Sequence, residues 1–258
     1  MGWSWQARAT VAGLAAVAWM GATGAGVTGA AAAGKAPCKA QRFAGQAYVV
    51  CSIDAGAAEI SVRWRGADGK PLGSLGAVER AARKAGRRLM LAMNGGMYHE
   101  DLSPVGYHVE NRKKINGANT RRGPGNFHML PNGIFFVEKG RAGVMETRAF
   151  LKRNRRPDHA TQSGPMLVID GKLHPTFRAD SESRFIRNGV GVSRDGKVVH
   201  FVISDEPVTF HAFASLFQRH LKVANALYLD GNVSQLVSAS LSRRGFRPVG
   251  PVIVALEK

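Results

Sequence analysis

The chain is poor in the groups on which many hydrolytic and redox sites are built. It has 2 cysteines in 258 residues, and its 8 histidines are scattered without a His-x-x-x-His spacing. Without a metal-type cysteine spacing or clustered imidazoles there is no pattern for a transition-metal centre. Gly-x-Ser-x-Gly is absent, so the nucleophile elbow of the serine hydrolases is excluded, and no calcium-loop pattern occurs. Beyond the N-terminal stretch there is no apolar run long enough to cross a membrane, and no internal repeat.

Acidic residues are also scarce. Against 18 Asp+Glu stand 36 Lys+Arg, a net charge of +18. Such an excess draws anions. The N-terminus indicates which anions: Arg8 precedes an apolar stretch over residues 9–20, followed by Gly/Ala-rich sequence to residue 34 with small residues at 30–33. This reads as a secretory leader over residues 1–34 with a signal-peptidase site, an uncleaved anchor being the alternative. Either places the domain at 38–258 outside the cytoplasm, periplasmic or secreted. The expected partners are phosphate-bearing envelope polymers or lipid headgroups rather than nucleic acid. Cys38 follows Lys35-Ala36-Pro37, which is no lipidation signal, so an exported chain with one cysteine pair predicts a Cys38–Cys51 disulfide.

From about residue 46 the sequence alternates in short units. Residues 48–53 and 59–64 predict strands, the second with Ile60, Val62 and Trp64 on one face. Ser74 predicts the cap of a helix running to about Ala85, with Gly86 as its stop. Asp170-Gly171 and Asp195-Gly196 sit between apolar runs as hairpin signals. Thr209 predicts a second helix cap, with Phe210, Phe213 and Phe217 at helical spacing as core. Further strands are expected at 89–93, 105–110, 133–138, 225–229, 234–239 and 249–256, a glycine-rich loop at 111–132, and a solvated basic loop at 148–156. Many hairpins with two clear helices predict a single α+β domain built on a mixed, largely antiparallel sheet.

Polar residues sit on glycine bends at the ends of apolar runs in Asn94-Gly95-Gly96-Met97-Tyr98 and Tyr228-Leu229-Asp230-Gly231-Asn232. Glycine there permits positive φ or close approach of a ligand. Thr161-Gln162-Ser163-Gly164-Pro165 is a third such run. Each alone reads as a turn; with the third extended through Gly171 and with Arg187-Asn188-Gly189-Val190-Gly191-Val192 added, four ordered runs make the set more specific. Together these motifs resemble the phosphodiester glycosidase family over residues 89–256, and the continuation His99-Glu100-Asp101-Leu102-Ser103-Pro104 resembles its compact bacterial branch. The chain departs from the family's usual form after Asp230-Gly231, where Asn232-Val233-Ser234-Gln235 replaces glycines and serines.

The resemblance implies hydrolysis of a glycosyl-1-phosphodiester in an anionic glycopolymer or glycolipid fragment. Such chemistry needs a carboxylate at an oxocarbenium-like centre and usually a second proton-handling group. Asp230 matches the family's motif as the essential carboxylate. Glu110, at the end of the predicted 105–110 strand, and Asp205, after a predicted strand at 198–203, are the candidate partners. Arg187 matches the family's arginine and suits bidentate phosphate binding. Asn94 with Gly95 and Gly96 is expected to meet sugar hydroxyls; Gln162, Ser163 and Gly164 to form a pocket wall; Gly231 and Asn232 to complete the substrate contacts. No obligatory cofactor is expected, with a calcium or magnesium ion bridging substrate phosphate left open. The rival reading is a non-catalytic module that binds envelope polyanions on the same fold.

Overall fold

Local turn and cap chemistry sets many of the element ends. The computed structural model describes residues 37–258, so the leader expected at 1–34 lies outside the described residues. Asp170 (φ 47°) and Gly171 (φ 80°) close a two-residue hairpin between Met166–Ile169 and Lys172–Leu173, as the Asp-Gly pair predicts. Asp195-Gly196 turns the chain from Asn188–Val192 into Val198–Ser204, with Gly196 at φ 74° and Asp195 Oδ1 accepting from Lys197 N and Ser193 Oγ. Ser74 caps the helix Leu75–Lys84 by accepting from Ala77 N, and Gly86 at φ 64° follows its end. Thr209 likewise caps Phe210–Ser215, which widens into a π-turn over Leu216–His220 and buries Phe213 and Phe217.

The strands form three sheets, and every strand pairing among the described residues is antiparallel. The first sheet runs Cys38–Phe43, Gln46–Asp54, Val198–Ser204, Asn188–Val192, Asn225–Asp230, Met166–Ile169, Lys172–Leu173. The second runs Ser242–Arg243, Leu236–Ser238, Leu89–Asn94, Val252–Glu257, Ala58–Arg63. The third runs Lys113–Asn116, His108–Glu110, His159–Ser163, Gly133–Glu138, Arg141–Glu146. One apolar core draws on all three, with Ile53 and Phe201, Val62 and Leu91, and Phe135 and Val144 as members. Cys38 and Cys51 face each other across the first two strands and are joined as the expected disulfide.

The α+β, largely antiparallel, single-domain architecture stands, and three local expectations change. Thr161-Gln162-Ser163 is not a turn but the end of a fully buried strand, His159–Ser163. The basic segment at 148–156 begins inside a helix, Thr147–Lys152, because the Glu146 carboxylate accepts from Arg148 N and Ala149 N and Phe150 is buried. The 111–132 segment holds a strand and a 3-10 turn, Asn126–His128. It is tied down by Gln162, whose Oε1 accepts from Asn119 N and whose Nε2 donates to Asn119 O.

Candidate active site

The sequence motifs meet where the three sheets meet, and Asp230 is at that junction. Asn94 ends its strand in the second sheet, Asn188 and Asp230 pair across two strands of the first, and Ser163 ends its strand in the third. Asn188 Nδ2 donates to Asn94 Oδ1 (2.7 Å) and to Asn94 O (3.1 Å), and Asn94 Oδ1 also accepts from Gln235 N (2.7 Å). Ser163 Oγ donates to Leu229 O at 3.0 Å, one residue before Asp230. Buried polar groups must be hydrogen-bonded to be tolerated, so these contacts lock the sheets together and fix the end of the Asp230 strand.

Asp230 itself is 8% exposed. Its Oδ1 accepts from the backbone N–H groups of Gly231 (2.5 Å), Asn232 (2.7 Å) and Val233 (3.3 Å), while Oδ2 accepts no hydrogen bond from the described residues. Burial pushes the carboxyl above its ordinary range, and the three amides offset only part of that shift. A cleft of about 630 Å³ opens over it, lined also by Tyr98, Glu100, Asn126, Tyr228 and Arg247. Tyr98 donates to Pro248 O at 2.7 Å, and its pKa is pushed up to about 12, first by burial and then by the Asp230 charge, against the pull of Arg247. Asp230 and Arg247 thus share one cleft with the Tyr98 phenol.

Behind the cleft lies Arg187, fully buried. Nε donates to Val208 O (2.9 Å), Nη2 donates to Ser183 O (3.1 Å), and the guanidinium stacks 3.6 Å over the Phe210 ring. Among the described residues neither Arg187 Nη1 nor the buried Tyr228 hydroxyl has a hydrogen-bond partner. Burial raises the Tyr228 pKa and lowers that of Arg187, and each partly counters the other's shift. Arg187, expected to grip phosphate, does not line the cleft: it is fully buried, with Nε–H and one Nη2–H directed at backbone carbonyls.

The other expected residues separate by position. Glu110 does not line the cleft; its Oε1 accepts from Trp64 N (2.6 Å) and contacts His108 Nε2 (2.8 Å), at the end of the third sheet away from Ser163. Asp205 lies in an adjoining hollow and is held by Arg243 through both carboxylate oxygens (2.6 and 3.2 Å). Asn94, Gln162 and Ser163 are buried and do not line the cleft; Asn94 Oδ1, Gln162 and Ser163 Oγ are bonded within the protein, while Asn94 Nδ2 has no partner among the described residues. Gly231 and Asn232 do line the cleft.

The glycines serve packing, not left-handed turns. None of Gly95, Gly96, Gly164 or Gly231 has positive φ. A Cβ on Gly96 would strike Gln162 O and Thr161 Oγ1, and one on Gly231 would strike the Tyr228 hydroxyl. Gly164 similarly passes Asn132 and Phe127 O, while Gly95 N donates to Pro251 O at 2.7 Å.

Sequence reasoning missed Asn126 and Arg247 in the cleft, and treated Tyr228 and Asn188 only as parts of motifs. Glu100 enters the sequence reading only within the run His99-Glu100-Asp101-Leu102-Ser103-Pro104, yet it lines the cleft together with Asp230. Arg247 comes from an irregular segment and Asn126 from a short 3-10 turn inside a long loop, so neither carries a local signal. Among the described residues no group of three or more His, Cys, Asp or Glu side chains is gathered in metal-holding geometry.

A family model described as phosphodiester glycosidase matches residues 87–256 of this chain. An uncharacterized Escherichia coli K12 protein, YigE, is 35% identical over 177 residues, covering 69% of this chain and 68% of its own. The zebrafish N-acetylglucosamine-1-phosphodiester alpha-N-acetylglucosaminidase catalytic domain, solved in a state auto-inhibited by its pro-peptide, shares the fold. Its TM-score is 0.58 at 15% identity, over 86% of this chain and 82% of that one. The matched region contains Asn94, Ser163, Asn188 and Asp230, the residues that knit the three-sheet junction. The chain belongs to the phosphodiester glycosidase family.

Proposed function

We propose that the chain hydrolyses the bond between a sugar's anomeric carbon and the oxygen of a phosphodiester, with Asp230 as the essential carboxylate. The observation that carries the reading is Asp230 Oδ2: an unpartnered carboxylate oxygen, on a buried strand end, facing a cleft that also holds Arg247. In this reading the three amides on Oδ1 fix the carboxylate so that Oδ2 meets the anomeric carbon as it gains positive charge. The C1–O bond breaks with its electron pair going to the phosphate oxygen, and water supplies OH to the sugar. Arg247 is the cation for the departing phosphate, because no carboxylate pairs with it among the described residues. Glu100, the other carboxylate lining the cleft, takes the water's proton in place of Glu110 and Asp205.

The substrate class is an anionic glycopolymer or glycolipid fragment met outside the cytoplasm. Supporting this are the net charge of +18, the leader-like N-terminus and the cross-strand disulfide. Among the described residues no helix is long and apolar enough to cross a membrane. The sugar is left unassigned, because Asn232 and Val233 line the cleft where the family's usual motif differs. A divalent ion, if used, would bridge the substrate's phosphate.

Purified protein is expected to release free sugar from a model sugar-1-phosphodiester, and Asp230→Asn to lower that rate by on the order of 10²- to 10⁴-fold. Undiminished release by the variant would remove the assignment. Salt-sensitive binding of envelope polyanions without any sugar release would favour the non-catalytic module instead. Cell fractionation with mass measurement of the N-terminus checks export: the protein should appear outside the cytoplasm, shortened by about the predicted leader.

A further inference from the structure

A second hollow, of about 850 Å³, adjoins the cleft across the ridge Gly231-Asn232-Val233. Three residues of extended chain span at most about 10 Å, so the two spaces are close neighbours. Arg247 lines both. Arg184, Arg243 and Arg244 also line the hollow, and Asp205 is its only carboxylate. Asp205 is taken up by Arg243, and Arg244 is held by Glu79 from outside the hollow (2.7 Å). Arg184 and Arg247 have no ion-pair partner among the described residues, and both are exposed. Beside them Phe246 is 109% exposed, an aromatic ring with no protein packed on it. Two unpaired arginines with an apolar ring beside them suit a ligand that is anionic at intervals and carbon-backed between them.

We propose that this hollow binds the next phosphate of the leaving group, so that the preferred substrate carries a second phosphate beyond the scissile one. The inference rests on the proposed hydrolysis and adds the direction of the substrate. With Asp230 at the sugar and Arg247 at the scissile phosphate, the chain continuing from that phosphate leads past Arg247 into the hollow. Arg184 then receives the second phosphate, with Phe246 against the linking carbons. Asp205 is a positioning residue here: it holds the Arg243 guanidinium at the hollow's wall.

The test compares two synthetic substrates with the same sugar-1-phosphodiester, one esterified to a simple alcohol and one to an alcohol bearing a second phosphodiester. The expected kcat/KM ratio favours the second by roughly tenfold, from one exposed ion pair at Arg184 together with burial of the Phe246 ring against the linking carbons. It should shrink as salt rises. In the double variant Arg184→Ala, Phe246→Ala the ratio should fall to about one, and Arg184→Lys should restore part of it. Equal kcat/KM on both substrates, or a variant that slows both by the same factor, would overturn the proposal. If neither substrate is cleaved, the hydrolytic reading fails, and calorimetry with a non-hydrolysable phosphonate analogue of each still decides the hollow. Tighter binding of the two-phosphate analogue that is lost in the double variant supports it; equal binding refutes it.

Discussion

Asp230 combines two opposing demands, and they can be separated. Its folded pKa lies above the unfolded value, so the native state favours the protonated carboxyl, and stability falls as pH rises from the ordinary aspartate range through the folded pKa. At neutral pH the ionised form carries the whole desolvation cost. Asp230→Asn keeps an acceptor for the three amides and removes that charge, so it should melt at a higher temperature than the parent at pH 7 while losing activity. A melting temperature equal to or below the parent's would mean that the amide bonds outweigh burial. The same shift predicts that kcat/KM rises with pH through a midpoint above that of an ordinary aspartate; a rate already full at pH 4 would contradict it. Asp230 was legible from its place after an apolar run and before glycine. Arg247 was not, because nothing in Arg-Gly-Phe-Arg-Pro-Val says that this loop returns to the end of a strand well before it in the chain.

Among the elements, those set by neighbours in the chain were legible and those set by distant partners were not. The Leu75–Lys84 helix follows from Ser74, a period of apolar residues and Gly86; the Asp170-Gly171 hairpin follows from two residues able to take positive φ. His159–Ser163 escaped because Thr161, Gln162 and Ser163 are polar and nevertheless buried, a choice made by Tyr107, Asn119 and Leu229 across the junction. The glycine bends illustrate the same limit. Gly96 and Gly231 are required by what passes beside them, not by their own backbone angles. The Asn94–Asn188 clamp gives an element-scale prediction. Asn188→Ala removes two hydrogen bonds between sheets and should cost about 1–3 kcal/mol in urea unfolding. It should also lower kcat, since Asn188 is the cross-strand partner of Asp230. Unchanged stability together with unchanged kcat would show that the clamp does not hold the site.

For the whole molecule, three sheets converge on one carboxylate, with a basic hollow beside it in a protein of net charge +18. The charge was legible as a preference for anions, but its placement was not: Arg184 and Arg247 lie far apart in sequence and come together only because their loops flank the same ridge. The junction also explains why four short, individually weak motifs together identify a family, since each supplies one strand end to a single site. The claim that this site cleaves the sugar's bond to phosphate, rather than the phosphate's bond to its other alcohol, is tested most directly by hydrolysis of a sugar-1-phosphodiester in water enriched in oxygen-18. Attack at the anomeric carbon predicts a phosphomonoester product without the label; oxygen-18 in that phosphate would contradict the account.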